Sequence, residues 1–222
     1  MYQKSRGVVL HTIKYSESSV IAKIYTEGFG LLSFMVKGVR STRSKTKASL
    51  LQPLTILDLE FLHRENKPLL YIKEMKRHYN YQSLPFDTLK SAIALFILEV
   101  LHKAIREHEA NEDLFVFISE ALTALDQCEQ LNPDFHLLFL IQLSRYLGFG
   151  AQSNDEVLDG WPLDNGHARS LQALLAADYS TVVPLTGASR RILLDSILHF
   201  YAIHADNFGE IKSVSVLKEM FN

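Results

Sequence analysis

Hydrophobic positions alternate with polar ones over the first eighty residues, in short runs rich in β-branched and aromatic side chains. Alternation with a period of two is typical of strands that bury one face. In one of these runs, Leu57 and Leu59 lie on one face, and Asp58 and Glu60 lie on the other. The runs predict five strands, at residues 7–14, 20–26, 31–36, 54–62 and 69–75.

Five short antiparallel strands suit a small closed barrel, because closure removes exposed strand edges. The sequence Glu-Gly-Phe-Gly at residues 27–30 predicts the hairpin turn between the second and third strands. We therefore expect residues 1–80 to form a five-stranded OB-fold barrel. Barrels of this type commonly hold nucleic acid on their strand face and connecting loops.

From residue 84 onward the apolar period becomes that of helices. The first helical segment is apolar on nearly every side, which predicts a central, buried helix. Asn111 is placed to cap a second helix, and Gly148 to end a third. Pro85 opens this first segment, whose apolar residues run from Ala92 to Ile105, and further helices are expected at residues 111–127, 134–147, 167–177, 189–205 and 214–221, with a loop at 151–166. The predicted fold class is α+β multidomain, with an all-α helical domain over residues 81–222 after the barrel.

The two predicted domains carry opposite charge. Residues 1–80 contain fourteen Lys and Arg against six Asp and Glu, whereas residues 81–222 contain nine against nineteen. The net charge of −2 for the whole chain therefore conceals a basic module joined to an acidic one. A positive field attracts polyanions, and nucleic acid is the commonest of them.

The positive charge is densest between the third and fourth predicted strands. Residues 37–47 carry five cations and no acid, namely Lys37, Arg40, Arg43, Lys45 and Lys47. We expect these five to bind DNA phosphates, together with Lys23, Lys14 and Arg6 from the strands. Tyr25 shares a strand face with Lys23 and is a candidate for stacking on a base. The alternatives are a solvated surface loop and, for Tyr25, half-buried packing.

The sequence contains none of the short motifs that mark common catalytic sites. It lacks a phosphate-binding G-x-x-x-x-G-K-[ST] loop, a G-x-S-x-G elbow and an H-E-x-x-H pair. Cys128 is the single cysteine, which excludes an internal disulfide and a multi-cysteine metal site. We expect no catalytic residue, no metal and no cofactor. Without a signal region or a long apolar run, we expect a soluble, cytoplasmic protein.

Several stretches resemble the RecO family of bacterial recombination mediators. They are Gly7-Val-Val-Leu-His-Thr, Tyr15-Ser-Glu-Ser, Tyr25-Thr-Glu-Gly-Phe-Gly, Val36-Lys-Gly-Val-Arg, Leu50-Leu-Gln-Pro, Leu147-Gly and Ile211-Lys-Ser-Val-Ser-Val-Leu. Their order and spacing follow the family over nearly the whole chain, best over residues 5–75.

The resemblance implies a non-catalytic function in DNA repair and homologous recombination. Proteins similar to this one bind single- and double-stranded DNA and anneal complementary strands. With RecR they help RecA to load onto gapped DNA coated by the single-stranded-DNA-binding protein, SSB. The family match covers Lys37, Gly38 and Arg40 in the DNA-binding region. A cytoplasmic, nucleoid-associated location follows from the same resemblance.

The resemblance also implies features of the helical domain. The family docks the acidic C-terminal tail of SSB there, for which Arg145, Arg190 or Arg191 would be an apt cation. Many members carry a four-cysteine zinc site after the Leu-Gly helix end, but residues 149–166 contain no cysteine here. We therefore expect no zinc and a segment held by packing around Trp161. The alternative function is a protein–protein adaptor whose basic barrel binds an acidic partner.

Overall fold

The structure is a computed structural model that describes residues 1–39, 45–63, 67–105, 110–151, 153–158 and 161–220, without the side chains of residues 45, 46 and 158. The chain divides into two compact units. The first comprises Met1–Gln82 and Ile105–Thr123, and the second comprises Ser83–Ala104 and Ala124–Asn222. The domain boundary at residue 80 stays a prediction.

The described strands precede the helices along the chain, except that one short helix lies between the third and fourth strands. The strands are β1 (Tyr2–Lys14), β2 (Val20–Thr26), β3 (Gly30–Val36), β4 (Ile56–Leu62) and β5 (Leu70–Arg77). The helices are α1 (Lys45–Leu50), α2 (Thr88–Ala104), α3 (Glu112–Gln127), α4 (Phe135–Tyr146), α5 (Asn154–Leu158), α6 (Asn165–Ala176), α7 (Gly187–His204) and α8 (Val214–Met220).

The five strands form a closed barrel in the order β1-β2-β3-β5-β4, which confirms the predicted OB-like barrel. Neighbouring strands are antiparallel except β3 and β5, which pair in parallel over two positions only. Strand β1 begins five residues before its predicted start and pairs with β4 through its first half and with β2 through its second. A bulge at Leu10 interrupts the pairing of β1 with β2 between Val9 and His11.

Alternate side chains of every strand fill the barrel interior. Phe34 and Phe61 meet edge to face with ring centroids 5.1 Å apart, and both are fully buried. Gly7 lies where a Cβ atom would come within 2.6 Å of Ile24 Cγ2 and 2.9 Å of Leu59 Cδ1. A side chain at that position would therefore displace the core where β1 crosses the barrel.

Helix α1 was not predicted. Residues 45–47 were expected to belong to a basic loop, but the backbone from Lys45 onward is helical. Ala48 and Leu50 pack against the barrel core, beside buried Leu51. The helix escaped prediction because its six residues contain only two apolar side chains, Ala48 and Leu50, which are too few to display a helical period.

The first part of α3 covers one outer side of the barrel. Asn111 caps this helix as predicted, since its Oδ1 accepts a hydrogen bond from Leu114 N at 2.9 Å. The hydroxyl of Tyr25 donates to the Asn111 carbonyl at 3.2 Å, and the Tyr25 ring lies 6.5 Å from that of Phe115. The first part of α3, through Thr123, therefore groups with the strands in the first unit.

The second unit is built around α2 and α4, whose described residues are buried on most sides. This confirms the predicted central helix. Helix α4 ends as predicted at Gly148, which has φ +86°. Phe149 N donates to Ser144 O and Gly148 N to Arg145 O, the hydrogen-bond pair of a Schellman motif.

Segment 151–166 was expected to be a loop, but it contains α5 and the start of α6. Asn154 Nδ2 donates to the Ala168 carbonyl at 2.6 Å, which ties α5 to α6. The Trp161 ring lies 4.7 Å from that of His199 on α7. These contacts are consistent with a segment held by packing.

Among the described helices, none is both long and apolar enough to cross a membrane.

Candidate nucleic-acid interface

A groove runs along the outside of the barrel between α1 and β5. Its volume is about 580 Å³. Lys37, Lys47 and Lys73 line it together with the aromatic ring of Tyr71, and Glu74 contributes one carboxylate. The groove exists because β3 and β5 pair over two positions only, which leaves the sheet open beside α1. It combines cations with an apolar floor that includes Met35 and Leu50.

Lys37 and Tyr71 both line this groove, and both are exposed to solvent. Lys37 is exposed, and its ammonium lies 5.6 Å from the centre of the Tyr71 ring. The Tyr71 side chain is 54 % exposed although it sits in a strand. An exposed cation beside an exposed ring can bind a phosphate and a flat apolar group at the same time.

Three of the predicted cations fall wholly or partly outside the described residues. Arg40 and Arg43 lie outside them, and for Lys45 the structure describes the backbone alone. Lys47 is the third residue of α1 and lines the groove. The assignment of these residues to DNA binding stays a prediction.

Two further predicted cations lie on the barrel strands. Lys23 is half-buried in the middle of β2, where it is paired with His11 and Ser33 of the neighbouring strands. Lys14 is exposed at the end of β1. The structure therefore places both at the surface of the barrel, and neither lines the groove that contains Lys37 and Lys47.

Arg6 differs from the other predicted cations because its charge is already paired. Its Nε donates to Glu27 Oε2 at 2.9 Å, its Nη2 contacts Glu27 Oε1, and its guanidinium lies 5.3 Å from the Phe115 ring centre. The hydrogen bond from Arg6 lowers the pKa of Glu27, so the pair is ionised at neutral pH. A phosphate would have to compete with this carboxylate for the guanidinium.

Tyr25 does not provide a stacking surface. It lies on the outer side of β2 as the strand pattern requires, but it is 1 % exposed because α3 covers it. The alternative considered from the sequence, packing, is therefore correct.

Tyr71 and Lys73 were missed, and the signal that could have found them is the run Leu-Tyr-Ile-Lys at residues 70–73, in which an aromatic and a lysine occupy the polar positions of a strand.

The outer face of β1, β4 and β5 carries both signs of charge. Asp58 accepts from His78 Nδ1 at 2.9 Å, and Glu60 accepts from Lys73 Nζ at 2.5 Å. Asp58 and Glu60 therefore belong to a solvated outer face, as the sequence suggested, but with partners contributed by β5 and the residue after it. Arg6, Lys73 and Lys76 are ion-paired with carboxylates here, so a polyanion would have to compete for them.

Two family models match the chain. The model described as recombination protein O, N terminal, matches residues 1–81, and the model described as recombination protein O, C terminal, matches residues 85–174. Together they cover more than half of the 222 residues. The chain belongs to the RecO family.

Relatives of full length support the same assignment. The chain is 34 % identical to the DNA repair protein RecO of Phocaeicola vulgatus and 35 % identical to that of Bacteroides fragilis, and the match covers 100 % of each chain. It is 35 % identical to the protein of the same name from Christiangramia forsetii, over 98 % of both chains. The resemblance inferred from the sequence is confirmed.

A metal site among the described residues would need several donor side chains close together. In that part of the chain, no group of three or more His, Cys, Asp or Glu side chains could hold a metal ion. Cys128, the single cysteine, is half-buried, and its Sγ contacts the Leu125 carbonyl at 3.2 Å. The prediction that this RecO chain takes no zinc rests on its composition.

In the second unit of this RecO chain, the described residues form a shallow hollow with cations beside apolar side chains. The buried side chains of Leu194 and Leu217 lie next to Arg191 and Lys218 there. Arg190 also lines the hollow, but it is 9 % exposed and its Nε donates to Asp134 at 2.6 Å. Arg145, the third candidate from the sequence, instead donates to the Leu175 carbonyl.

Proposed function

We propose that this protein is a DNA repair and homologous recombination mediator that binds single- and double-stranded DNA. Membership in the RecO family, with full-length relatives named DNA repair protein RecO, carries the proposal. The lysine-lined groove on the barrel supports it, because cations beside an exposed aromatic ring match the backbone and bases of DNA.

The proposed mechanism is electrostatic and needs no catalytic residue. Cations of the barrel neutralise phosphates on two strands, which lowers the repulsion that slows their pairing. Strand annealing follows, and with RecR the protein helps RecA to replace SSB on gapped DNA. The protein acts in the cytoplasm at the nucleoid.

The barrel cations can be tested directly by salt dependence. Replacement of Arg40, Arg43, Lys45 and Lys47 by alanine should weaken single-stranded DNA binding and flatten its dependence on salt. Each lost phosphate contact changes the slope of log K against log salt by about 0.7 on single strands. Fluorescence anisotropy of a labelled oligonucleotide at several salt concentrations measures this slope.

Two variants sharpen that experiment. Lys37→Ala with Lys47→Ala removes two of the three described lysines of the groove, whereas Arg169→Ala with Lys212→Ala removes two exposed cations of the second unit. The first pair should weaken DNA binding and annealing, and the second pair should leave both unchanged. An equal effect of the two pairs, or an unchanged slope in the quadruple variant, would contradict the proposed surface. Absence of DNA binding at low salt would favour the adaptor.

We assign the SSB tail to the hollow beside Leu194 and Leu217. Arg191 would attract its carboxylates, whereas Lys218 is already bonded to Asp195 at 3.0 Å and the two leucines are each 2 % exposed. A labelled peptide with the C-terminal sequence of SSB should bind the protein, and Arg191→Glu should abolish binding. Arg169→Glu, an equal charge change at an exposed position outside the hollow, should not. Equal loss in both variants would mean that the peptide responds to net charge alone.

A further inference from the structure

A row of apolar side chains encircles the outside of the barrel. Each member is paired across strands with the next as one goes around the barrel. The pairs are Tyr2 with Leu62, Leu62 with Tyr71, Tyr71 with Met35, Met35 with Ile21, and Ile21 with Ile13. We name these six residues the apolar belt. It starts and ends on β1, because the strands of a closed barrel are staggered.

The belt faces outward along its whole length. Ile21 lies between the interior residues Val20 and Ala22, and Met35 lies between Phe34 and Val36, so the alternation of a strand directs both outward. Directly paired residues of neighbouring strands share a face. The remaining belt members therefore lie on the same outer side.

Three of the six belt members are exposed, Ile21 and Leu62 are half-buried, and Met35 is buried at the floor of the groove. Tyr2, Ile13 and Tyr71 are 54 %, 45 % and 54 % exposed. Among the described residues of this unit, the other large apolar side chains that are exposed are Met1 and Tyr15, within two residues of a belt member. Exposed apolar side chains that cluster in one row indicate a surface for a partner.

Lysines accompany the exposed rings. The ammonium of Lys73 lies 4.7 Å from the centre of the Tyr2 ring, and that of Lys37 lies 5.6 Å from the centre of the Tyr71 ring. Lys14 follows Ile13 directly in the chain and is exposed. Glu60 and Glu74 are the carboxylates nearby, and Glu60 is bonded to Lys73. A partner with both negative charge and flat apolar groups fits this combination.

We propose that the apolar belt binds the unpaired bases of single-stranded DNA, with Tyr71 as its principal stacking residue. The inference rests on the proposed function. A single strand exposes the faces of its bases, whereas a duplex hides them in its stack. The lysines would serve both kinds of DNA and the belt would serve single strands alone. Annealing would then release the bases from the belt as they pair.

The energies allow a base to take the place of the lysine over the ring. An exposed cation–π contact is worth about 0.5–1 kcal/mol, whereas stacking of a base on an aromatic side chain is worth about 1–3 kcal/mol. The displaced ammonium of Lys37 would remain within reach of the phosphate next to the stacked base. Neighbouring strands are about 5 Å apart, so the belt from Tyr71 to Ile13 extends for about 15 Å. That length suits the few nucleotides that one such barrel binds.

Tyr71→Ala tests the inference. It should weaken binding of a single-stranded oligonucleotide by about 5- to 150-fold, the equivalent of about 1–3 kcal/mol. It should leave duplex binding within about twofold and the salt slope unchanged. Tyr71→Phe keeps the ring and should bind single strands as the unchanged protein does. Phe86→Ala, which removes an aromatic side chain 82 % exposed in the second unit, is the matched control.

A direct readout of stacking accompanies the affinities. An oligonucleotide containing 2-aminopurine should lose fluorescence when the protein binds it, and Tyr71→Ala should reduce that loss. Tyr2→Ala provides an independent second variant at the other exposed ring, and thermal melting verifies that each variant is folded.

The outcomes separate the two proposals. If the protein binds DNA but Tyr71→Ala and Tyr2→Ala leave single-strand binding unchanged, or weaken duplex binding equally, the belt is not a base-binding surface and the proposed function stands. If Tyr71→Ala abolishes binding of a polyglutamate peptide while single-strand binding persists, the belt belongs to an acidic protein. If the unchanged protein binds neither form of DNA at low salt, both proposals fail.

Discussion

The two units place their lysines and arginines in different environments. In the first unit, Lys37 and Lys47 are exposed beside a groove. In the second unit, Lys90 and Arg190 are 5 % and 9 % exposed and are hydrogen-bonded to partners within the unit. The basic half of the sequence thus presents cations to solvent, whereas the acidic half uses two of its few cations to hold its own helices.

The difference shows that net charge alone does not locate a binding surface. A buried cation stabilises a fold only when every donor meets an acceptor, because its removal from water is costly. Lys90 Nζ meets this requirement with Ser83 Oγ and the carbonyls of Asp126 and Cys128, at 2.7 to 2.9 Å. Such a side chain is committed to its partners and is unavailable to a ligand.

Arg190→Ala should have the largest effect on stability. It would leave the Asp134 carboxylate, whose side chain is 0 % exposed, without its cation. Loss of one partner of a buried ion pair costs about 3–5 kcal/mol. Urea unfolding measures the loss, and the double variant Asp134→Leu with Arg190→Met should recover much of it. If the double variant is as unstable as the single one, the pair contributes through packing rather than charge.

Lys90→Met should destabilise the second unit by about 3 kcal/mol. Hydrogen bonds from a charged donor are worth about 1.5–3 kcal/mol each, and the acceptors of Lys90 would remain buried without it. Lys212→Met, at an exposed position, is the control and should be neutral. Urea midpoints give the comparison. Equal midpoints for the two variants would show that the Lys90 bonds have no net value.

His136 makes the second unit sensitive to acid. Burial, and secondarily the charge of Arg190, lowers its pKa from 6.5 to about 3. The folded state therefore binds fewer protons than the unfolded state between these values, and stability falls as pH decreases through this window. Acidification from pH 7 to pH 5 should cost about 2 kcal/mol from this residue. His136→Phe should remove that part of the pH dependence in urea titrations, and an unchanged dependence would show that His136 is accessible to protons.

Lys37→Ala with Lys47→Ala should have the smallest effect on stability, within about 0.5 kcal/mol, because surface substitutions away from packed groups rarely exceed this. The same variant should weaken DNA binding. Stability and DNA affinity measured on one preparation would then distinguish cations that are exposed for binding from cations that stabilise the fold. A loss of stability above about 2 kcal/mol would place these lysines with the structural group.

The secondary structure was largely predictable from the sequence. Strand β2 has its predicted limits, and Asn111 and Gly148 cap their helices as expected, because alternation and capping depend on residues close together in the chain. Helices α1 and α5 were missed because five or six residues display no recognisable period.

The candidate site was predicted less well. Lys37 and Lys47 line the groove, but Tyr71 was missed and Tyr25 proved to be covered.

By itself the sequence determined the basic barrel, the helical remainder and the family, since local periodicity, composition and motif order are properties of the chain. The tertiary structure alone decided which of two strand tyrosines is available. Tyr25 and Tyr71 both point out of the barrel, but α3 covers the first and solvent reaches the second. Closure and strand register bring residues as distant in sequence as Tyr2 and Tyr71 into one row, and no local pattern encodes that pairing.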